Sequence, residues 1–122
     1  MQYPNLILLY VEDPLRSAQF YEQMFDSPPV AAYPTYVAFK FPNGLTLGLW
    51  SVKAKNFASG GTGHRSELAF MVQDDDAVRT LCEHWQNVGV QIEQDLHKAV
   101  FGLTFVALDL DGHRIRVCTP DD

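Results

Sequence analysis

The side chains able to ligate a metal, carry a proton or attack a substrate are few and scattered. The four histidines are His64, His84, His97 and His113, and the two cysteines are Cys82 and Cys118. No Ser-His-Asp spacing, phosphate-cradling glycine loop or zinc signature links them. Cys118 has neither a base nor a second cysteine near it in sequence, which argues against a nucleophile. No catalytic residue is therefore assigned. A different chemistry is legible at residues 45–50, Leu-Thr-Leu-Gly-Leu-Trp. Successive strand side chains point to opposite faces, so the three leucines share one face and Thr46, Gly48 and Trp50 the other. The leucine face suits packing on helices, which leaves Trp50 on an open side. Gly48 beside it leaves room for a flat group, and an indole is a good platform for stacking one. The bland alternative is a core or dimer-interface tryptophan; the strand parity favours the platform.

Residues 114–118 split in the same way. Ile115 and Val117 face helices, while Arg114, Arg116 and Cys118 face the open side. Two of nine Lys+Arg residues thus share one strand face in a chain of formal net charge −6. A guanidinium can hold a carboxylate bidentately, so this is where an anionic aromatic ligand is expected. Glu67, Ala69 and Met71 share a face of another strand, and Tyr10 and Met71 are expected on the open side. Thr104 and Val106 share parity and are expected to face the cleft. Tyr36, Phe39 and Phe41 fit two parities, as do Phe101 and Phe105. Trp85 belongs to a helical stripe with Val78, Leu81 and Cys82 and reads as core.

The elements that position these residues repeat at half the chain length. Shifted by 61 residues, Val11-Glu12-Asp13 falls on Val72-Gln73-Asp74 and the strand at 6–11 falls on 67–72. The first half reads as a strand at 5–11, a helix capped by Asp13 with Pro14 in its first turn, and strands near 30–33, 36–41 and 45–52. Ala18, Tyr21 and Phe25, with Leu15 and Met24, form the helix's apolar face. The second half reads as a strand at 66–72, a helix at 75–88 capped by Asp74, and strands near 90–94, 101–108 and 114–118. Each module is β-α-β-β-β. One domain, 1–122, is expected, with modules of about 1–55 and 65–122 and a Gly- and Ser-bearing linker at 56–64. The first strand is apolar on both faces, so something must cover its open side.

The excess of acidic residues, 15 against 9 basic, excludes a nucleic-acid-binding or anionic-membrane-docking surface. No apolar run reaches the roughly 20 residues of a membrane span. The N-terminus reads as a strand, not a signal peptide, and two cysteines are too few for a disulfide framework. A cytoplasmic protein is expected.

The β-α-β-β-β repeat, the strand–Val-x-Asp–helix opening with Phe20-Tyr21, and Asp109-Leu110-Asp111-Gly112-His113-x-Ile-x-Val resemble the vicinal oxygen chelate superfamily of glyoxalases, dioxygenases and bleomycin-resistance proteins. The resemblance spans the chain, with Asp-Leu-Asp-Gly in place of the usual Asp-Pro-Asp-Gly. It implies an α+β fold in which two βαβββ modules form a curved mixed sheet with helices on the outer face, as a domain-swapped homodimer. Pro4-Asn5-Leu6, Tyr36-Val37-Ala38-Phe39, Trp50-Ser51, Val100-Phe101-Gly102-x-Thr104-Phe105 and His113-x-Ile115-Arg116-Val117-Cys118 are similar to members that resist phenazine antibiotics. That resemblance implies a flat aromatic ligand stacked on Trp50, bound without catalysis, and makes Phe39 a candidate cleft residue. The ligand-binding set is then Trp50, Gly48, Tyr10, Phe39, Glu67, Met71, Thr104, Val106, Arg114 and Arg116.

Metal-dependent members carry ligands on four strands, and those positions map onto Leu6, Gly48, Glu67 and Arg116. Only Glu67 can coordinate a divalent cation, so no metal and no cofactor are expected. Glu67 and Arg116 are expected within salt-bridge reach, compensating each other where the ion would lie; the alternative leaves Arg116 or Arg114 free for a ligand carboxylate. The rival to a binding protein is a glyoxalase- or dioxygenase-like lyase or oxidoreductase, for which Glu67 is the only visible base.

Overall fold

The computed structural model describes residues 2–55, 57–61 and 65–120. The chain divides into two compact units, Met1–Gly61 and Thr62–Asp122. Each repeats β-α-β-β-β, and each forms its own four-stranded mixed sheet.

In the first unit, β1 (Leu6–Val11) leads through Asp13 into α1 (Pro14–Phe25). The Asp13 carboxylate accepts from the Arg16 amide, and Pro14 occupies the first turn, where its missing N–H costs nothing. Asp26 ends the helix in a left-handed conformation (φ 51°). Strands β2 (Ala31–Tyr33), β3 (Tyr36–Lys40) and β4 (Thr46–Ser51) follow. The turn before β4 places Gly44 at φ +92°, and the Asn43 side chain accepts from the Leu45 amide. The sheet order is β1-β4-β3-β2, with β1 parallel to β4 and the other pairs antiparallel.

Register separates the two faces. Val11, Val37, Phe39, Leu47 and Leu49 lie on one side, all buried, with α1 packed on β3 and β4. Phe39 meets Phe25 edge-on at 5.1 Å. Phe39 is thus a core residue; its candidacy as a cleft residue is corrected, and Tyr36, three residues away and so of opposite parity, takes the open side. Leu15 is another correction: Pro14, Ser17, Ala18, Tyr21 and Met24 form the buried stripe of α1 and Leu15 is exposed. The buried stripe thus includes Ser17 and leaves out Leu15.

In the second unit, β5 (Leu68–Met71) leads into α2 (Asp75–Asn87), where the Asp74 carboxylate accepts from the Ala77 amide. Asp75 and Asp76 in the first turn complement the helix dipole. Strands β6 (Gln91–Ala99), β7 (Gly102–Leu108) and β8 (Arg114–Cys118) complete the order β5-β8-β7-β6. Strand β6 runs well past residue 94, so His97 stands in a strand, not a loop; two irregularities of register, after Ile92 and after Gln94, absorb the polar residues that hid it from period-two reading. Phe70, Phe105, Ile115 and Val117 share the α2 side. Trp85 is fully buried between Phe70 and Phe105, 5.4 Å from each. Val88 is exposed.

Among the described residues, no helix is long and apolar enough to cross a membrane.

Candidate functional site

On the open side of the first unit, register sets Tyr10 against Trp50 and Trp50 against Tyr36, with Leu8, Gly48 and Ala38 in the row behind. Trp50 is half-buried, Tyr10 is 43% exposed and Leu6 and Leu8 are similarly open. This is an apolar and aromatic row along edge strand β1 and its neighbour β4. Trp50 and Gly48 share this face, but Gly48 does not leave an empty space. A Cβ there would stand 2.7 Å from both Leu8 Cδ2 and the Tyr36 hydroxyl oxygen, so these two side chains already fill the room. Gly48 is a close-packing position for Tyr36.

One aromatic on this face was not singled out in the sequence. Phe57, from the segment after β4, meets Tyr10 at 5.0 Å and Trp50 at 5.1 Å, both edge-to-face. The available signal was a lone aromatic in the otherwise small and polar run Lys-Asn-Phe-Ala-Ser-Gly-Gly.

The open side of the second unit is organised around Arg116. Its Nε and Nη2 donate to the two carboxylate oxygens of Glu67 at 2.8 and 3.0 Å. Its Nη1 donates to Thr104 Oγ1 at 3.2 Å, and Phe101 lies beneath the guanidinium, 5.7 Å from its ring centroid. Thr104 Oγ1 in turn donates to the Val117 carbonyl at 2.7 Å. The Arg116 bonds hold the Glu67 carboxyl below its usual pKa, and Glu67 raises that of Arg116. Arg114 Nε donates to Glu93 at 2.8 Å, which raises the Arg114 pKa. Glu93 is the extra residue at the first register shift of β6; the bulge turns it toward β8.

The expected Glu67–Arg116 pair is present, and the alternative of free arginines is not. Both guanidiniums are matched by a carboxylate, so this face is charge-compensated. Thr104 and Val106 have the expected parity but are fully buried, with Arg116 extended over Thr104 and with Val106 flanked in register by Gln94 and Arg116. They support the face from below without presenting surface to a ligand. Met71 is 70% exposed and Cys118 half-buried on the same side.

Neither unit fits a divalent cation at the positions where metal-dependent members carry ligands. Leu6 and Gly48 offer no donor, and both oxygens of Glu67 are engaged by Arg116. Among the described residues no three His, Cys, Asp or Glu side chains cluster as a metal site; His64 lies outside the described residues. His113 serves the turn before β8. Its Nδ1 pairs with buried Asp109 Oδ2 at 2.7 Å, while Asp109 Oδ1 accepts from the Asp111 and His113 amides.

A family model, Glyoxalase/Bleomycin resistance protein/Dioxygenase superfamily, matches residues 4–117. The phenazine antibiotic resistance protein EhpR of Enterobacter agglomerans is 34% identical over 121 residues, covering 97% of this chain and 92% of that protein. Among solved structures, a protein of Agrobacterium tumefaciens is 40% identical with a TM-score of 0.83, and 98% of each chain is covered. A glyoxalase-related enzyme of Fulvimarina pelagi is 25% identical with a TM-score of 0.81, covering 98% of this chain and 90% of the other.

Proposed function

The chain belongs to the glyoxalase/bleomycin resistance protein/dioxygenase superfamily, and within it we propose that it binds a planar aromatic small molecule of the phenazine-antibiotic type without a metal, giving resistance by sequestration. The observation that carries this reading is the half-buried Trp50, set beside Tyr10 on the sheet face of the first unit opposite the Leu47–Leu49 core side. A tricyclic ring system stacked there would bury its apolar surface against indole and phenol with no bond broken. The likeness to EhpR supports the ligand class. The chemistry of the second unit supports binding over catalysis: Glu67, the carboxylate that could act as a base, has both oxygens bonded to Arg116, which lowers its pKa and so weakens it as a proton acceptor. Sequestration requires protein in amounts comparable to the drug.

The proposed working form is a homodimer, because Leu6, Leu8 and Tyr10 are each more than 40% exposed on a long apolar edge strand and call for a cover. The proposed compartment is the cytoplasm, where Cys82 and Cys118, both free thiols, stay reduced. The test is a fluorescence titration with phenazine-1-carboxylate. Wild type is expected to be quenched at micromolar ligand and the W50F variant not, with Trp85, buried in the core, as the constant background. Mass analysis of the recovered ligand separates the two rival activities: unchanged ligand supports sequestration, and a turned-over product overturns it in favour of an enzyme.

A further inference from the structure

Two short turns bring the chain back from β4 to the open face of its own unit. The Ala54 amide donates to the Ser51 carbonyl at 3.1 Å, and the Phe57 amide donates to the Ala54 carbonyl at 3.0 Å. The Phe57 ring then rests on the Tyr10–Trp50 pair at 5.0 and 5.1 Å, inclined at 85° and 64°. These are favourable distances and angles for edge-to-face aromatic contact. Tyr10 and Trp50 themselves stand 6.2 Å apart at 69°. A flat molecule sandwiched between two rings needs them parallel and about 7 Å apart, twice the carbon contact distance. No slot of that kind exists between Tyr10 and Trp50. The aromatic corner is instead taken up by a phenyl ring belonging to the chain itself.

We propose that Phe57 is an internal occupant of the aromatic site and sets a lower size limit on what the protein binds. This rests on the reading of Trp50 as a ligand platform. A tethered side chain competes at an effective concentration on the order of millimolar. A free single-ring aromatic offers no more contact than the phenyl it must displace and is excluded. A fused polycyclic ligand covers more of Trp50 and Tyr10 than one phenyl and displaces it. The attachment suits this role. Phe57 belongs to no strand or helix, and the residues that follow it, 58–61, are exposed. Among the described residues nothing lies within 4 Å of a Cβ built at Gly60 or Gly61, so the backbone there is not packed against them.

The experiment compares wild type with F57A and F57L, using phenazine and phenol as probes in calorimetric titrations. F57A is expected to bind phenazine about tenfold tighter, the loss of two competing aromatic contacts. It is also expected to bind phenol at millimolar concentration where wild type does not. F57L, which keeps part of the volume, gives a smaller gain and serves as the folded control if alanine destabilises the unit. A ligand-free readout accompanies these: acrylamide quenching of Trp50 rises in F57A because the covering ring is gone. Wild type that binds phenazine while folded F57A binds it equally or more weakly overturns the inference alone, since Phe57 is then a wall or a bystander. Failure of wild type and both variants to bind phenazine overturns the platform reading and this inference with it.

Discussion

Replacing the Glu67–Arg116 pair by apolar residues tests how the open face of the second unit is held together. The two hydrogen bonds, at 2.8 and 3.0 Å, join side chains that keep 31% and 20% of their exposure. Well-shielded charged hydrogen bonds contribute about 1.5–3 kcal/mol and exposed ion pairs about 0.2–1 kcal/mol. Partial exposure places the coupling between these limits, at about 1–2 kcal/mol. Glu67→Leu alone leaves the guanidinium, among the described residues, with Thr104 and Phe101 but no carboxylate, at a cost of about 2 kcal/mol. Arg116→Met alone also removes the acceptor's partner, but the Glu67 carboxylate can turn to water, so its cost is smaller. The double variant E67L/R116M leaves no charge behind and stays within about 1 kcal/mol of wild type. Urea unfolding of the four proteins at pH 7 gives the coupling directly. Acid supplies a second arm. Arg116 lowers the Glu67 pKa from 4.5, so this contribution is present above the unfolded pKa and lost as pH falls through the folded value. The wild-type advantage over the double variant therefore shrinks only below about pH 4.5. A coupling under about 0.5 kcal/mol at pH 7, or a double variant as damaged as the summed singles, refutes the reasoning.

Trp85→Phe is expected to cost much less than the roughly 3–5 kcal/mol of Trp85→Ala, because the indole Nε1 is buried with no acceptor among the described residues, and phenylalanine removes that unsatisfied donor while keeping the ring between Phe70 and Phe105; urea unfolding measures both. His113 predicts an alkaline effect. Its hydrogen bond to Asp109 raises its pKa above 6.5, so its stabilisation is full below the unfolded value and is lost as pH rises through the folded one. H113Q should flatten the decline in stability from neutral to alkaline pH, and NMR titration of the imidazole should show the raised value; an unshifted titration contradicts the pairing.

Much of this protein was legible in the sequence because its information is local and periodic. Asp13 and Asp74 mark helix starts, since each carboxylate satisfies an amide that the first helical turn leaves without a partner. The period-two alternation of residues 45–50 assigned Trp50 and Gly48 to one face and the leucines to the other, because the β pleat allows no other arrangement. The pairing of Arg116 with Glu67 was implied by the resemblance, whose metal-ligand positions fall on both residues. Where alternation was ambiguous or broken, sequence had nothing to offer. Phe39 and Tyr36 are both aromatic and three residues apart, and only the seating of α1 decided that Phe39 belongs to the core. The bulges of β6 lengthened that strand past its apparent end and delivered Glu93 to Arg114, an outcome of pairing with β7 rather than of composition. Gly48 was recognised as a missing side chain, but which group fills the space, Tyr36 and Leu8 from the flanking strands, follows from register. Phe57 is the clearest case. A lone aromatic in a polar run carries no period to read, and its place against Tyr10 and Trp50 depends on two turns folding the chain back over its own sheet. Sequence determined which faces exist and what lines them; tertiary packing alone decided what already occupies them, because occupancy is set by contacts between residues far apart in the chain.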